Sequence, residues 1–147
     1  MSSEAIKFAR GTVWWCEDSL GQNLPGVQVG RRPALVVSSN ESYNSPSVEV
    51  VKLTLTDKSH TCPTINIPST YGSTTSYILC NQHFTVNTSQ LVEYMYTLSE
   101  ETMNKVDSAL LTAQGFHYLV KVKDFLNRSR EDTIDQITCQ SEVSENE

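Results

Sequence analysis

Two adjacent arginines, Arg31 and Arg32, end a turn-rich segment and open onto the apolar run Pro33-Ala34-Leu35-Val36-Val37-Ser38. A guanidinium carries five donors in a rigid fork and keeps its charge at every relevant pH. A site that grips a phosphate therefore favours that group on firm backbone. Pro33 supplies firmness, because its ring fixes its own φ and biases Arg32 toward extended geometry. The chemistry such a pair suits is neutralisation of a phosphoryl group and of the extra negative charge in its transition state. A solvated arginine pair at a strand end satisfies the same residues, so the spacing alone leaves both readings open. Other catalytic signatures are missing: the chain has no G-x-S-x-G, H-E-x-x-H, Walker loop or G-x-G-x-x-G. Its acids cluster around Glu100 and in the last twenty residues, away from the β-rich segments, which argues against a carboxylate-pair glycosidase. The cysteines (Cys16, Cys62, Cys80, Cys139) and histidines (His60, His83, His117) are scattered. Neither a metal site, a disulfide framework nor a cofactor is expected from them.

The elements that must position these groups read as short strands followed by a helix. Phe8 to Cys16 is β-rich, and Glu17 to Gly30 is dense in turn residues. Pro33 to Ser38 has the continuous apolar character of a strand buried on both faces. A polar loop spans Ser39 to Pro46. Val48 to Thr56, Thr64 to Ile67, Tyr77 to Cys80, Phe84 to Val86 and Leu91 to Thr97 complete the strand set. The period then changes. Ser99 is an N-cap with Glu100 and Glu101 in the first turn, and Met103, Val106, Leu110 and Ala113 form an apolar helical stripe. Gln114-Gly115 stops it. Phe116 to Asn127 is a further apolar element, helix or strand. From Arg128 onward apolar content falls, and a frayed or disordered tail is expected. The class this implies is mainly β with a C-terminal α-helix (α+β): a small antiparallel barrel occupying residues 1–127, then an acidic tail over 128–147.

At 147 residues the chain has one domain's length, with 38% hydrophobic and 19% charged residues, which excludes collagen, coiled coil and wholesale disorder. Its net charge of −6 is uneven: residues 128–147 contribute −4 and the remainder only −2. A nearly neutral body neither marks nor excludes a nucleic-acid binder. No apolar run reaches the roughly 18–20 residues of a bilayer span, and Met1-Ser2-Ser3-Glu4 lacks the layout of a signal peptide. A cytoplasmic protein without membrane attachment is expected.

An ordered series of short segments resembles the PemK/MazF-type toxins, the mRNA interferases. It runs from Arg10-Gly11 with Val13-Trp14, through Gly30 to Ser38, Val50 to Thr54 and Pro63-Thr64. It continues through Ser76 to Gln82 with Thr85-Val86, then Leu98 to Glu101 and Val106 to Leu111. The series covers residues 9–115. The resemblance implies an SH3-like barrel with a C-terminal helix, a homodimer, an antitoxin protein as partner, and metal-independent cleavage of single-stranded RNA. It implies Arg32 at the scissile phosphate and Thr54 beside it as catalytic residues. Arg31, Gln28, Asn81, Gln82 and His83 are the RNA-binding candidates that follow. A ribose 2′-OH attacking its own phosphate leaves 2′,3′-cyclic phosphate and 5′-OH ends, so the protein need supply only alignment, proton transfer and charge stabilisation. Trp14, Trp15, Tyr43 and Phe84 could stack on unpaired bases or simply pack. Three positions depart from the family pattern: Val27 stands for an acid, Asn81 for another acid, and Phe84 for an arginine. Histidine is the side chain type best suited to proton transfer near neutrality, so His83 could replace a lost group. The departures also admit a catalytically inactive barrel that binds protein or RNA, and an acidic tail could shield a basic groove in cis.

Overall fold

The computed structural model describes residues 6–17, 31–56, 64–68 and 75–144. Six strands form one antiparallel sheet: β1 (Thr12–Cys16), β2 (Arg32–Val36), β3 (Ser47–Thr54), β4 (Thr64–Pro68), β5 (Thr75–Asn87) and β6 (Leu91–Thr97). Two helices follow, α1 (Glu100–Ala113) and α2 (His117–Ser144). The strand order is β4-β5-β3-β2-β1-β6. The α+β class expected from the sequence is the one observed. Closure of the barrel is not: among the described residues no pairing joins β4 to β6, so the sheet keeps two edges.

Period-two alternation divides the core between the two faces of the sheet. Val13, Leu35, Val37, Val51, Leu53, Ile78 and Cys80 lie on one face, under Val106 of α1. Met103, Ala109 and Leu110 of the same helix pack on that cluster. Trp14, Cys16, Ala34, Val36, Val48, Val50, Val86 and Leu91 lie on the other, with Phe8 and Phe84 against them. Ala34, Leu35 and Val36 have no accessible surface, as the continuous apolar run of β2 requires. Each large apolar side chain buried in this way contributes roughly 1.5–3 kcal/mol of transfer free energy.

Helix α1 begins and ends where the sequence places it. The Ser99 hydroxyl accepts from the Thr102 N–H at 3.2 Å, and Glu100 and Glu101 occupy the positive first turn. At its end the Gly115 N–H donates to Thr112 O at 3.0 Å and the Phe116 N–H to Leu111 O at 2.8 Å. This paired closure needs a residue at positive φ, and Gly115 has φ +84°. Arg10 fastens α1 to the sheet: its guanidinium donates to the Val37 carbonyl and pairs with Asp107. Beside it Gly11, at φ +95°, donates to Val36 O and accepts from the Leu98 N–H, both at 2.9 Å, tying β1 to β2 and to the entry of α1.

Two further expectations are corrected. Tyr77–Cys80 and Phe84–Val86 are not separate strands but parts of the thirteen-residue β5. The polar Asn81-Gln82-His83 stretch stays extended because β3 pairs on both sides of it, with a register shift between Val51 and Leu53. The chain from His117 is helical, and α2 continues to Ser144 in place of a frayed tail from Arg128. Low apolar content there reflects a helix packed only at its start, not a lack of secondary structure. The turn-rich segment from 18 to 30, which includes Val27 and Gln28, lies outside the described residues, as do His60 and Cys62.

Candidate functional site

The β2–β3 ladder sets the geometry. Its register pairs Val36 with Val50, Leu35 with Val51 and Ala34 with Lys52. Continuing that line by two residues puts Arg32 opposite Thr54, on one face of the sheet and at the mouth of the two strands. Both side chains line a cleft of about 250 Å³. Trp15, Arg31, Pro33, Leu53, Leu55, Ser76, Met95 and Tyr96 complete its walls, drawn from β1, β2, β3, β5 and β6. The lining is largely apolar and includes the polar groups of Arg31, Arg32, Thr54, Ser76 and Tyr96, a composition suited to a ligand with a flat apolar part and a phosphate.

Thr54 is 6% exposed, and its Oγ1 accepts from the Thr56 N–H at 3.2 Å. One lone pair is thereby occupied, so the hydroxyl hydrogen can be given to an oxygen in the cleft. Arg32 is half-buried as the first residue of β2, paired across from Cys16 of β1. Arg31 is placed differently. Its guanidinium lies 3.7 Å from Glu17 and 3.9 Å from Glu93, with its carbon 5.6 Å from the Trp15 ring centre. These contacts hold Arg31 at the rim and set its charge against two carboxylates.

The other candidates stand apart from this pair. Asn81, Gln82 and His83 occupy the shifted part of β5, and none of them lines the cleft. His83 is opposite Val51 and sits 3.6 Å from Glu49. Of the four aromatic residues, Trp15 reaches the cleft. Trp14 packs on Phe8 and Tyr94, with centroids at 4.8 and 5.6 Å; Phe84 packs against the second core cluster, and Tyr43 is exposed elsewhere. Among the described residues no three His, Cys, Asp or Glu side chains gather where they could hold a metal ion.

Lys52 is a feature the sequence reading passed over. It lies on the Arg32–Thr54 face, opposite Ala34, with no accessible surface, and its Nζ is 5.4 Å from the centre of the Phe84 ring. Burial pushes its ammonium below the usual lysine range, and Cys16 partly offsets this. Burial likewise pushes the Cys16 thiol up, against the pull of Lys52 and with a smaller push from Glu17. The alternation Val48, Val50, Lys52, Thr54 was the available signal, since it places all four on one inward face. Ser76 and Tyr96 carry no comparable mark in the sequence.

A six-stranded antiparallel sheet with a helix across one face, and a cleft lined by an arginine and a threonine at the ends of adjacent strands, defines a small α+β protein. Residues 9–113 match the family described as PemK-like, MazF-like toxin of type II toxin-antitoxin system, and the chain belongs to that family. Endoribonuclease MazF4 of Mycobacterium tuberculosis is 32% identical over 106 residues, spanning 72% of this chain and 91% of the relative. Endoribonuclease MazF1 of Mycobacterium bovis matches to the same extent. Among solved structures, a mycobacterial endoribonuclease in complex with its cognate antitoxin superposes with a TM-score of 0.57 at 29% identity, covering 73% of this chain and 94% of the other. MazF from Deinococcus radiodurans shares the fold, with a TM-score of 0.59 at 20% identity and 73% and 96% coverage. The region matched by the family ends at residue 113, before α2 begins.

Proposed function

We propose that this protein is an endoribonuclease that cuts single-stranded RNA, with Arg32 and Thr54 at the scissile phosphate. The observation that carries the reading is the β2–β3 register, which sets these two side chains opposite each other in one cleft of a PemK/MazF-family chain. The substrate's 2′-OH attacks the adjacent phosphorus, the bond to the 5′-oxygen breaks, and the products carry a 2′,3′-cyclic phosphate and a 5′-OH. Arg32 neutralises the non-bridging oxygens as their charge grows, and the Thr54 hydroxyl donates to one of them. The apolar wall from Trp15 to Tyr96 accepts an unstacked base, which is why a single strand fits and a duplex does not. The same reading has the protein acting in the cytoplasm as a homodimer. An antitoxin protein, like the one bound to the mycobacterial relative, would restrain it.

The cleft lining offers arginine, threonine, serine and tyrosine, but among the described residues no carboxylate or imidazole. That observation favours a second reading, in which the cleft binds RNA and does not cut it. One experiment separates the two. Purified protein is incubated with an unstructured RNA in EDTA, beside the same sequence with 2′-deoxy substitution throughout. The nuclease reading expects cuts with 5′-OH ends in the RNA alone. Tight binding of both strands with neither cut establishes the second reading.

A further inference from the structure

At the rim of the cleft two carboxylates flank the guanidinium that lies by the Trp15 ring. The β1–β6 register sets Trp15 opposite Glu93, and the β1–β2 register sets it opposite Pro33. Continued from Cys16 and Arg32 by one residue, the second register sets Glu17 opposite Arg31. Residues across a ladder share a face, as do residues two apart, so Glu17, Trp15, Arg31 and Glu93 project from one side of the sheet. Trp15 and Arg31 line the cleft that also holds Arg32 and Thr54. Arg31 Nε is 3.7 Å from Glu17, and its Nη2 is 3.9 Å from Glu93. Both separations exceed a hydrogen bond, and all three side chains are more than half exposed. The carboxylates therefore orient the fork without using up its donors, and Glu93 keeps acceptors of its own. The guanidinium carbon is 5.6 Å from the Trp15 ring centre, wider than a stacked contact of about 3.5–4.0 Å, so it does not seal the ring.

The net charge of this rim decides which ligand it suits. One guanidinium faces two carboxylates, a net of −1, which repels a second phosphate but not a neutral group. A nucleobase is neutral, lies flat on an aromatic ring, and offers acceptors and donors along its edges. Guanine matches the two charged groups most fully. Its O6 and N7 accept from an arginine fork, and its N1–H and N2–H on the adjoining edge donate to a carboxylate. Cytosine gives a carboxylate only its N4 amine, adenine has no paired acceptors beside its amine, and uracil has a single donor.

We propose that Trp15, Arg31 and Glu93 form a guanine-reading subsite for the nucleotide next to the scissile phosphate. The base lies on Trp15, with its O6/N7 edge on Arg31 and its N1/N2 edge on Glu93. The inference rests on the reading of the cleft as an RNA site. It adds a sequence preference that phosphate contacts from Arg32 and Thr54 do not supply.

The test uses the full chain and strands that cannot be cut. Fluorescence anisotropy measures the binding of short 2′-deoxyuridine oligomers that differ in one central base: guanine, adenine, cytosine, hypoxanthine or 7-deazaguanine. Hypoxanthine lacks only the N2 amine, and 7-deazaguanine only the N7 acceptor. The wild type is expected to bind the guanine strand about tenfold more tightly than the adenine strand, with the two analogues between them. Glu93→Gln is expected to abolish the preference for guanine over hypoxanthine while keeping that over 7-deazaguanine, and Arg31→Ala to do the reverse. A purely structural role for either residue would lower all affinities together. Equal affinity for every strand overturns the inference, as does tighter binding of cytosine or adenine, or a guanine preference that both variants retain. Cleavage of RNA in EDTA is scored apart. A guanine preference with no cut overturns the nuclease reading alone, and cuts with no base preference overturn this inference alone.

Discussion

Replacing Lys52 with methionine should make the protein more stable, and by an amount that depends on pH. The ammonium has no accessible surface, and burial lowers its pKa. The Phe84 face at 5.4 Å and nearby Cys16 return part of the lost hydration energy. Exchanging a buried charge for an apolar chain of similar length typically gains about 1–4 kcal/mol; with those two offsets about 1–2 kcal/mol is expected at pH 7. Below the folded-state pKa of Lys52 both states carry the proton, and the wild type bears the full penalty. Between that pKa and the unfolded value of about 10.4 the unfolded chain holds more protons, so wild-type stability rises with pH and the variant's advantage shrinks. Cys16 acts in the opposite sense: its raised folded pKa contributes stability that is present below about 8.5 and fades above it. Urea unfolding of wild type and Lys52→Met from pH 6 to pH 10, repeated with Cys16→Ala in both, isolates the lysine. A variant less stable at neutral pH, or a difference that does not change with pH, would refute the reasoning.

Gly11→Ala forces a side chain onto φ +95°, although the new Cβ would meet Met103 only at an ordinary 3.5 Å. A loss of about 1–2 kcal/mol in urea unfolding is expected from the backbone alone. Asp107→Asn removes the charge facing Arg10, in a pair about one-third exposed, and should cost about 0.5–1 kcal/mol by the same assay, less at high salt. Thr54→Val keeps shape but deletes the cleft-facing hydroxyl. RNA cleavage should fall by about a hundredfold, Thr54→Ser should recover most of it, and the lost acceptor for the Thr56 N–H should cost about 0.5–1.5 kcal/mol of stability in the valine variant.

Much of the fold is written locally. Ser99, the Met103–Val106–Leu110 spacing and Gly115 each specify α1, and all three act in the structure as their chemistry demands. The β-branched runs of β1, β2 and β3 are legible for the same reason. What failed depends on contacts distant in sequence. Asn81-Gln82-His83 has no strand signal of its own and is extended because β5 is paired before and after it. Helix α2 carries charges and threonines that lower local apolar density, so from Arg128 it reads as a tail although the chain is helical to Ser144. In the site, Arg32 is marked by its type and by Pro33, whereas Thr54, one β-branched residue among many in its strand, is marked in the sequence only by its place in the family pattern. A lysine reads as surface until alternation fixes its face, and Lys52 was missed for that reason.

The most direct test of the cleft's role measures cleavage of a fluorogenic single-stranded RNA in EDTA by the wild type, Arg32→Ala and Arg31→Ala. Arg31 is held at the rim by Glu17 and Glu93, so its loss should lower the rate by about tenfold at most. Arg32→Ala should lower it by about a thousandfold or more while leaving the unfolding midpoint nearly unchanged. Full activity in Arg32→Ala, with the folded state intact, would contradict the account.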